Sequence, residues 1–318
     1  MTYVERYANG EYEQVWDDLR ALGVAVHEEQ VYPDALAVAR ETMRRVRQDI
    51  EELIQRLLHI GFVFGYDHLL LTALSSPVIT RHWDVYFEML SWMREQPPVF
   101  LPGNILEATL ARHMNTRHAL KRSSEEEAEA YRQAWRADPT RPPDMKHALE
   151  QLEQDIGPIP LSLRAWYEEV GAVNFFGYHA GWNTLVRSFQ PTLYQAGKLA
   201  PLHVMARCDP LQACVLDTHR LAALHQYHEP GQPYELCLAP DRYLKSHQSG
   251  GGCWYLFLLP NAAADAVLWE DPVSATSVTF VQYLRTSLLK WAGFPGMADW
   301  PSAPQDDLDF LTKDLIAF

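Results

Sequence analysis

The chain has 318 residues, enough for two domains, and its 47% hydrophobic and 21% charged content is that of an ordinary globular protein. No apolar run approaches the roughly 20 residues that span a bilayer. The formal charge of −14, from 27 Lys and Arg against 41 Asp and Glu, repels phosphate backbones and argues against nucleic acid. It would instead attract a basic protein and speed the encounter with it.

In chain order, residues 1–140 read as a mainly helical region. The stretch "EYEQVWDDLRALG" sets Val15, Trp16, Leu19 and Leu22 at helical spacing, and Gly23 stops it. The long segment "PDALAVARETMRRVRQDIEELIQRLLHIG" puts Leu36, Ala39, Met43, Val46, Ile50, Leu53 and Leu57 on one stripe. Pro33 suits its first turn and Gly61 its end. The blocks "FVFGYDHLLLTAL", "WDVYFEMLSWM" and the acidic "EEEAEAYRQAWRAD" continue the helical reading. "DPTRPPD" at 138–144, with three prolines, is the predicted boundary to a second domain over 141–318.

That second part mixes element types. "MKHALEQLEQDIG" and "LSLRAWYEEVG" read as helices, the latter with Leu163, Trp166, Tyr167 and Val170 inward, Ser162 as cap and Gly171 as stop. Short strand candidates follow: "AVNFFG", "LHVMAR", "ACVLD", "YELCLA", "CWYLFLLP" and "AVLWED". "SHQSGGGCW" reads as a hairpin turn, and "SVTFVQYLRTSLLKWAG" as a closing helix. Two helices, a run of strands and a helix make an α+β order, not the alternation of a parallel α/β sheet. The end, "PQDDLDFLTKDLIAF", is expected to dock on the body through Leu308, Phe310, Leu311, Leu315 and Ile316.

Chemistry-bearing motifs are sparse. The sequence holds no nucleophile elbow, phosphate-binding loop or dinucleotide fingerprint, so no catalytic residue and no cofactor is expected. Cys208, Cys214, Cys237 and Cys253 form no C-x-x-C pair and read as reduced thiols. His219, His225 and His228, near Asp217 and Glu229, have one turn of metal-ligand spacing without a complete ligand set, so the expectation is loop histidines and no metal. The acidic beginning has no basic and apolar leader, which places the chain in the cytoplasm. The aromatic, glycine-bearing stretch "FFGYHAGWN" is the candidate contact site: Tyr178, His179, Trp182 and Asn183 would present large amphipathic side chains to a partner.

From "LEQLEQDIGPIPLSLRAWYEEVG" through "YELCLAPDRY" and "GGGCWYLFLLPNAAADAVLWED" to "SVTFVQYLRTSLLKWAGFPG", residues 146–297 resemble the SUKH superfamily. The resemblance implies an antiparallel sheet with packed helices and a non-enzymatic binding domain. Many bacterial members resemble immunity proteins that neutralise toxins, often nucleases or deaminases, and others serve as intracellular adaptors. On that implication the partner is a basic toxin domain blocked by occlusion, with an adaptor role as the alternative and a metal-dependent enzyme as a third.

Overall fold

A computed structural model describes residues 1–64, 145–171, 173–175, 177–179, 181–182, 208–213, 232–240, 245, 254–271 and 274–318. The chain opens with α1 (Tyr3–Ala8) and α2 (Tyr12–Ala21), a 3-10 turn at Gly23–His27, and the 28-residue α3 (Tyr32–His59). A Thr2–Glu5 capping box starts α1. The Asp34 carboxylate, from the first turn of α3, also accepts the free N–H groups of Tyr3 (2.6 Å) and Val4 (3.2 Å), which ties the two helix starts together. Every residue of the predicted α3 stripe is buried, and Gly61, at φ +85°, turns the chain out of the helix.

Strand β1 (Val63–Phe64) follows, and the description resumes with α4 (Met145–Ile156) and α5 (Leu161–Glu169). The predicted inward residues Leu149, Leu152, Ile156, Leu163, Trp166, Tyr167 and Val170 are all buried. Ser162 is not the cap. Pro160 holds that position and Ser162 is buried inside the helix. Then come β2 (Val173–Asn174), β3 (Gly177–Tyr178), β4 (Gln212–Ala213), β5 (Tyr234–Pro240), β6 (Trp254–Leu259), β7 (Val267–Asp271) and β8 (Ser274–Thr279). Strands β5-β6-β7-β8 form an antiparallel four-stranded sheet in that order, while β1 pairs with β3 and β2 with β4. Helix α6 (Phe280–Arg285), a π turn at Thr286–Lys290, a 3-10 turn at Pro295–Asp299 and α7 (Gln305–Thr312) close the chain.

The fold is thus α+β, with an antiparallel sheet, packed helices and a helical start. The expected helix at 277 begins later: Ser277–Thr279 belong to β8, and Thr279 then starts α6 through a capping box with Gln282. The block "FVFGYDHLLLTAL", expected to continue the helical region, opens instead as strand β1 at Val63–Phe64, because Gly61 turns the chain out of α3 to pair with Gly177–Tyr178. The rest of it, the later blocks to 137, "LHVMAR", the "DPTRPPD" boundary and the 246–253 turn lie outside the described residues. No described helix is long and apolar enough to cross a membrane.

Residues 1–64 share one hydrophobic core with the later elements. Trp166 of α5 meets Phe280 of α6 edge-on (5.4 Å), and Phe280 meets Phe257 of β6 (5.3 Å). Across that core, Arg40 of α3 pairs with Glu168 of α5 (2.7 Å), and Arg20 of α2 reaches the buried Asp265 (3.2 Å). Asp265 in turn accepts the Val281 N–H (3.3 Å) at the start of α6. Burial raises its pKa, opposed by the Thr279 and Ser162 hydroxyls and by Arg20.

Among the described glycines, Gly293 leaves the least room for a side chain. Its φ of +90° belongs to glycine, and a Cβ there would lie 2.4 Å from Cδ2 and Cε2 of Phe175. Gly293→Ala therefore combines left-handed strain with overpacking and is expected to cost about 2 kcal/mol or more. Urea unfolding would show this as a lower midpoint with an unchanged slope.

Candidate functional site

The segment expected to meet a partner is built into the fold. Val63 pairs with Tyr178 and Phe64 with Gly177 in the β1–β3 ribbon, so the segment is stitched to the exit of α3. His179 follows, half-buried. The Trp182 N–H donates to its Nδ1 (3.3 Å), so Nδ1 is the acceptor and the ring carries its proton on Nε2, which donates to the Ile60 carbonyl (2.9 Å). Trp182 is 0% exposed. Its indole N–H donates to Asp307 of α7 (2.7 Å), and its ring packs against His179 (4.8 Å), Phe294 (5.1 Å) and Phe62 (5.7 Å).

Trp182 is therefore a corner-stone of the core and not a displayed anchor. The physical reason is that ring area this large finds more partners inside, among Phe62, His179 and Phe294, than any surface position supplies. Of the expected contact group, the structure brings His179 and Trp182 together, with the backbone of Tyr178 beside them. Asn183 lies outside the described residues.

A second cluster carries no sequence signal. Asp209 and Lys245, both buried, form an ion pair at 2.6 Å, and Lys245 also donates to the Pro210 carbonyl (2.9 Å). The Tyr255 hydroxyl donates to the second Asp209 oxygen (3.0 Å). Asp209 has φ +51°, a left-handed conformation that aspartate tolerates better than most residues. Each charge is paired and hydrogen-bonded, as burial requires. The arrangement fixes the turn leading into β4 against β6 and Lys245. It holds its charges closed off from solvent, so its chemistry is that of a structural ion pair.

Searches against family models, curated proteins and solved structures give no match. Among the described residues no group of three His, Cys, Asp or Glu is placed to hold a metal ion, and His219, His225 and His228 lie outside them. Cys208 is buried, and burial raises its thiol pKa well above the ordinary range.

The exposed charge is unevenly distributed. Residues 1–64 contain seven arginines, no lysine and twelve Asp and Glu. All seven arginines are held in ion pairs: Arg6 with Glu11 and Asp18, Arg20 with Asp17 and Asp265, Arg40 with Glu168, Arg44 and Arg45 with Glu41, Arg47 with Glu51, Arg56 with Glu52. The two guanidiniums at Glu41 hold its carboxyl down at about 2, against the effect of burial. Exposed positions 13, 14, 17, 18 and 21 line the outer stripe of α2 and lead to Val24, 76% exposed, then Glu28 and Glu29. Among the described residues Glu13, Glu28 and Glu29 enter no ion pair. Glu28 and Glu29 thus follow the exposed Val24 with no ion-pair partner among the described residues, and Glu13, though outside any ion pair, feels the charge of Arg285.

Proposed function

We propose that the protein is a non-enzymatic binding protein that docks a basic protein partner and neutralises it by occlusion, in the manner of a cytoplasmic SUKH-type immunity protein against a toxin. The observation that carries this reading is that every arginine of residues 1–64 is held in an internal pair, while Glu13, Glu28 and Glu29 stay outside any ion pair among the described residues. A toxin domain that works on nucleic acid needs a basic surface, and that surface is what such a face attracts. The antiparallel sheet with helices packed on it agrees with the resemblance over residues 146–297. An adaptor role would use the N-terminal helices as a second docking module. Their shared core with the sheet supports it less.

Co-purification from the native host should yield one stoichiometric basic protein, whose toxicity is relieved on co-expression with this chain. Its affinity should fall as salt is raised, since the contact is between charged rims. Glu13, Glu28 and Glu29 all changed to Lys should weaken the complex at least about tenfold, with circular dichroism unchanged. Salt-independent binding, or equal affinity of the triple variant, would remove this face from the interface. Several ordinary host proteins in place of one would favour the adaptor.

A further inference from the structure

The segment after α7 runs back along α3 as a strap, held by side chains of two elements, α3 and α6. Arg56 donates to the carbonyls of Phe310 (3.4 Å), Leu311 (2.9 Å) and Lys313. Arg45 donates to the Ala317 carbonyl (3.0 Å), and Arg285 of α6 to the Phe318 carbonyl. Leu311 and the Phe318 ring are buried beneath it. In the middle, Asp49 of α3 accepts the Ile316 N–H through Oδ1 (2.7 Å). Asp49 is only 1% exposed, and its other oxygen, Oδ2, has no hydrogen-bond partner among the described residues. A buried carboxylate satisfied on one oxygen alone is a costly arrangement when charged and an acceptable one when it carries a proton.

We propose that residues 313–318 are a proton-controlled strap: docking along α3 is strong while Asp49 is protonated and weak once Asp49 is ionised. The charged groups around Asp49 do not remove the cost. Arg45 is shared with Glu41 and stacked on Tyr7 (5.2 Å) and Tyr12 (4.9 Å), and Arg56 is shared with Glu52. Arg285 is engaged at the Phe318 end of the strap through its Nε, while Lys313 and Asp314 on the strap are exposed. Burial pushes Asp49 up to about 7, outweighing the Ile316 N–H and the two arginines, which pull it down, with Glu52 adding to the rise.

The sign follows from linkage. Lifting the strap returns Asp49 to water and to the ordinary carboxylate range, so docking takes up a proton. The docking equilibrium then falls about tenfold per pH unit between the ordinary value near 4 and the docked value near 7, and levels off above it. Amide exchange of residues 313–318, expressed as protection relative to an unstructured peptide at the same pH, reads this directly. In the native protein, protection of the Ile316 amide should drop at least about tenfold from pH 5.5 to pH 7.5. Asp49→Asn, neutral throughout, should hold protection constant. A parallel drop in both proteins would overturn the proposal. The Asp49 carboxyl carbon shift, titrated in the native protein, gives a second test free of any folding defect in the variant. A midpoint near neutrality is expected, and one in the ordinary carboxylate range would also overturn it.

Discussion

Replacing Trp182 by alanine is expected to destabilise the protein by about 3–5 kcal/mol, the range for deleting a large buried aromatic. The indole sits where four separate parts of the chain meet: Ile60–Phe62 after α3, His179, Phe294 and Asp307 on α7. Its removal opens a cavity lined by rings that are already fixed by other neighbours. Phe294 cannot swing in without leaving Phe62 (5.4 Å) and Phe175 (5.9 Å). Asp307, being only half-buried, regains water and adds little to the cost. Urea unfolding should show a lower midpoint, and any loss of partner binding should track the folded fraction. A large loss of affinity at an unchanged midpoint would instead make Trp182 a contact residue and contradict its burial.

The same residue shows where sequence reading runs out. An aromatic at residue 182 has the same local signature whether it faces a partner or the core. Its true neighbours, Phe62, Phe294 and Asp307, are more than a hundred residues away in sequence. Helices were more legible, because a stripe such as Leu36 to Leu57 repeats at 3.6 residues and needs no knowledge of what covers it. Gly61 and Gly171 were legible as stops for a local reason too, since φ of +85° and +83° belongs to glycine. Strand β8 was hidden: "SATSVT" runs into "FVQYL" with no proline or glycine between them, and Thr279 both ends the strand and starts the helix. The boundary expected near 140 was read from prolines. The packing of α3 against α5, and the pair from Arg20 to Asp265, come from contacts no local pattern encodes.

The end of the chain divides in a similar way. Its apolar spacing correctly seats Leu308 and Leu311, with Leu315 partly buried, but leaves Ile316 outward and Phe310 41% exposed beside His59 (5.6 Å). What decides the seat is a set of arginine-to-carbonyl bonds, and carbonyl acceptors are the same in every sequence. The charge arithmetic was legible as a net value only. Which carboxylates stay outside ion pairs is set by side-chain packing between distant elements, such as Arg40 with Glu168, that no net charge encodes.

Lys245→Met is expected to cost about 3–5 kcal/mol, because it strands Asp209 as an uncompensated buried charge. The pair is inside the protein: the side chains of Lys245 and Asp209 are 1% and 6% exposed. Removing the ammonium leaves one Asp209 oxygen without its donor, while the Tyr255 hydroxyl still satisfies the other. Asp209→Asn leaves the opposite problem, an ammonium facing a neutral amide and the Pro210 carbonyl. Asparagine suits the left-handed backbone at residue 209, so that substitution adds little strain of its own. Combining the two changes removes both charges and keeps an acceptor for the Tyr255 hydroxyl. The double variant should therefore recover most of the loss, as replacing a whole buried pair costs far less than breaking it. A double-mutant cycle from urea unfolding should give a coupling of about 2 kcal/mol or more. Additive losses would mean that the two groups do not sense each other. A coupling of the expected size would make this ion pair the clamp that locks the turn before β4 to the four-stranded sheet.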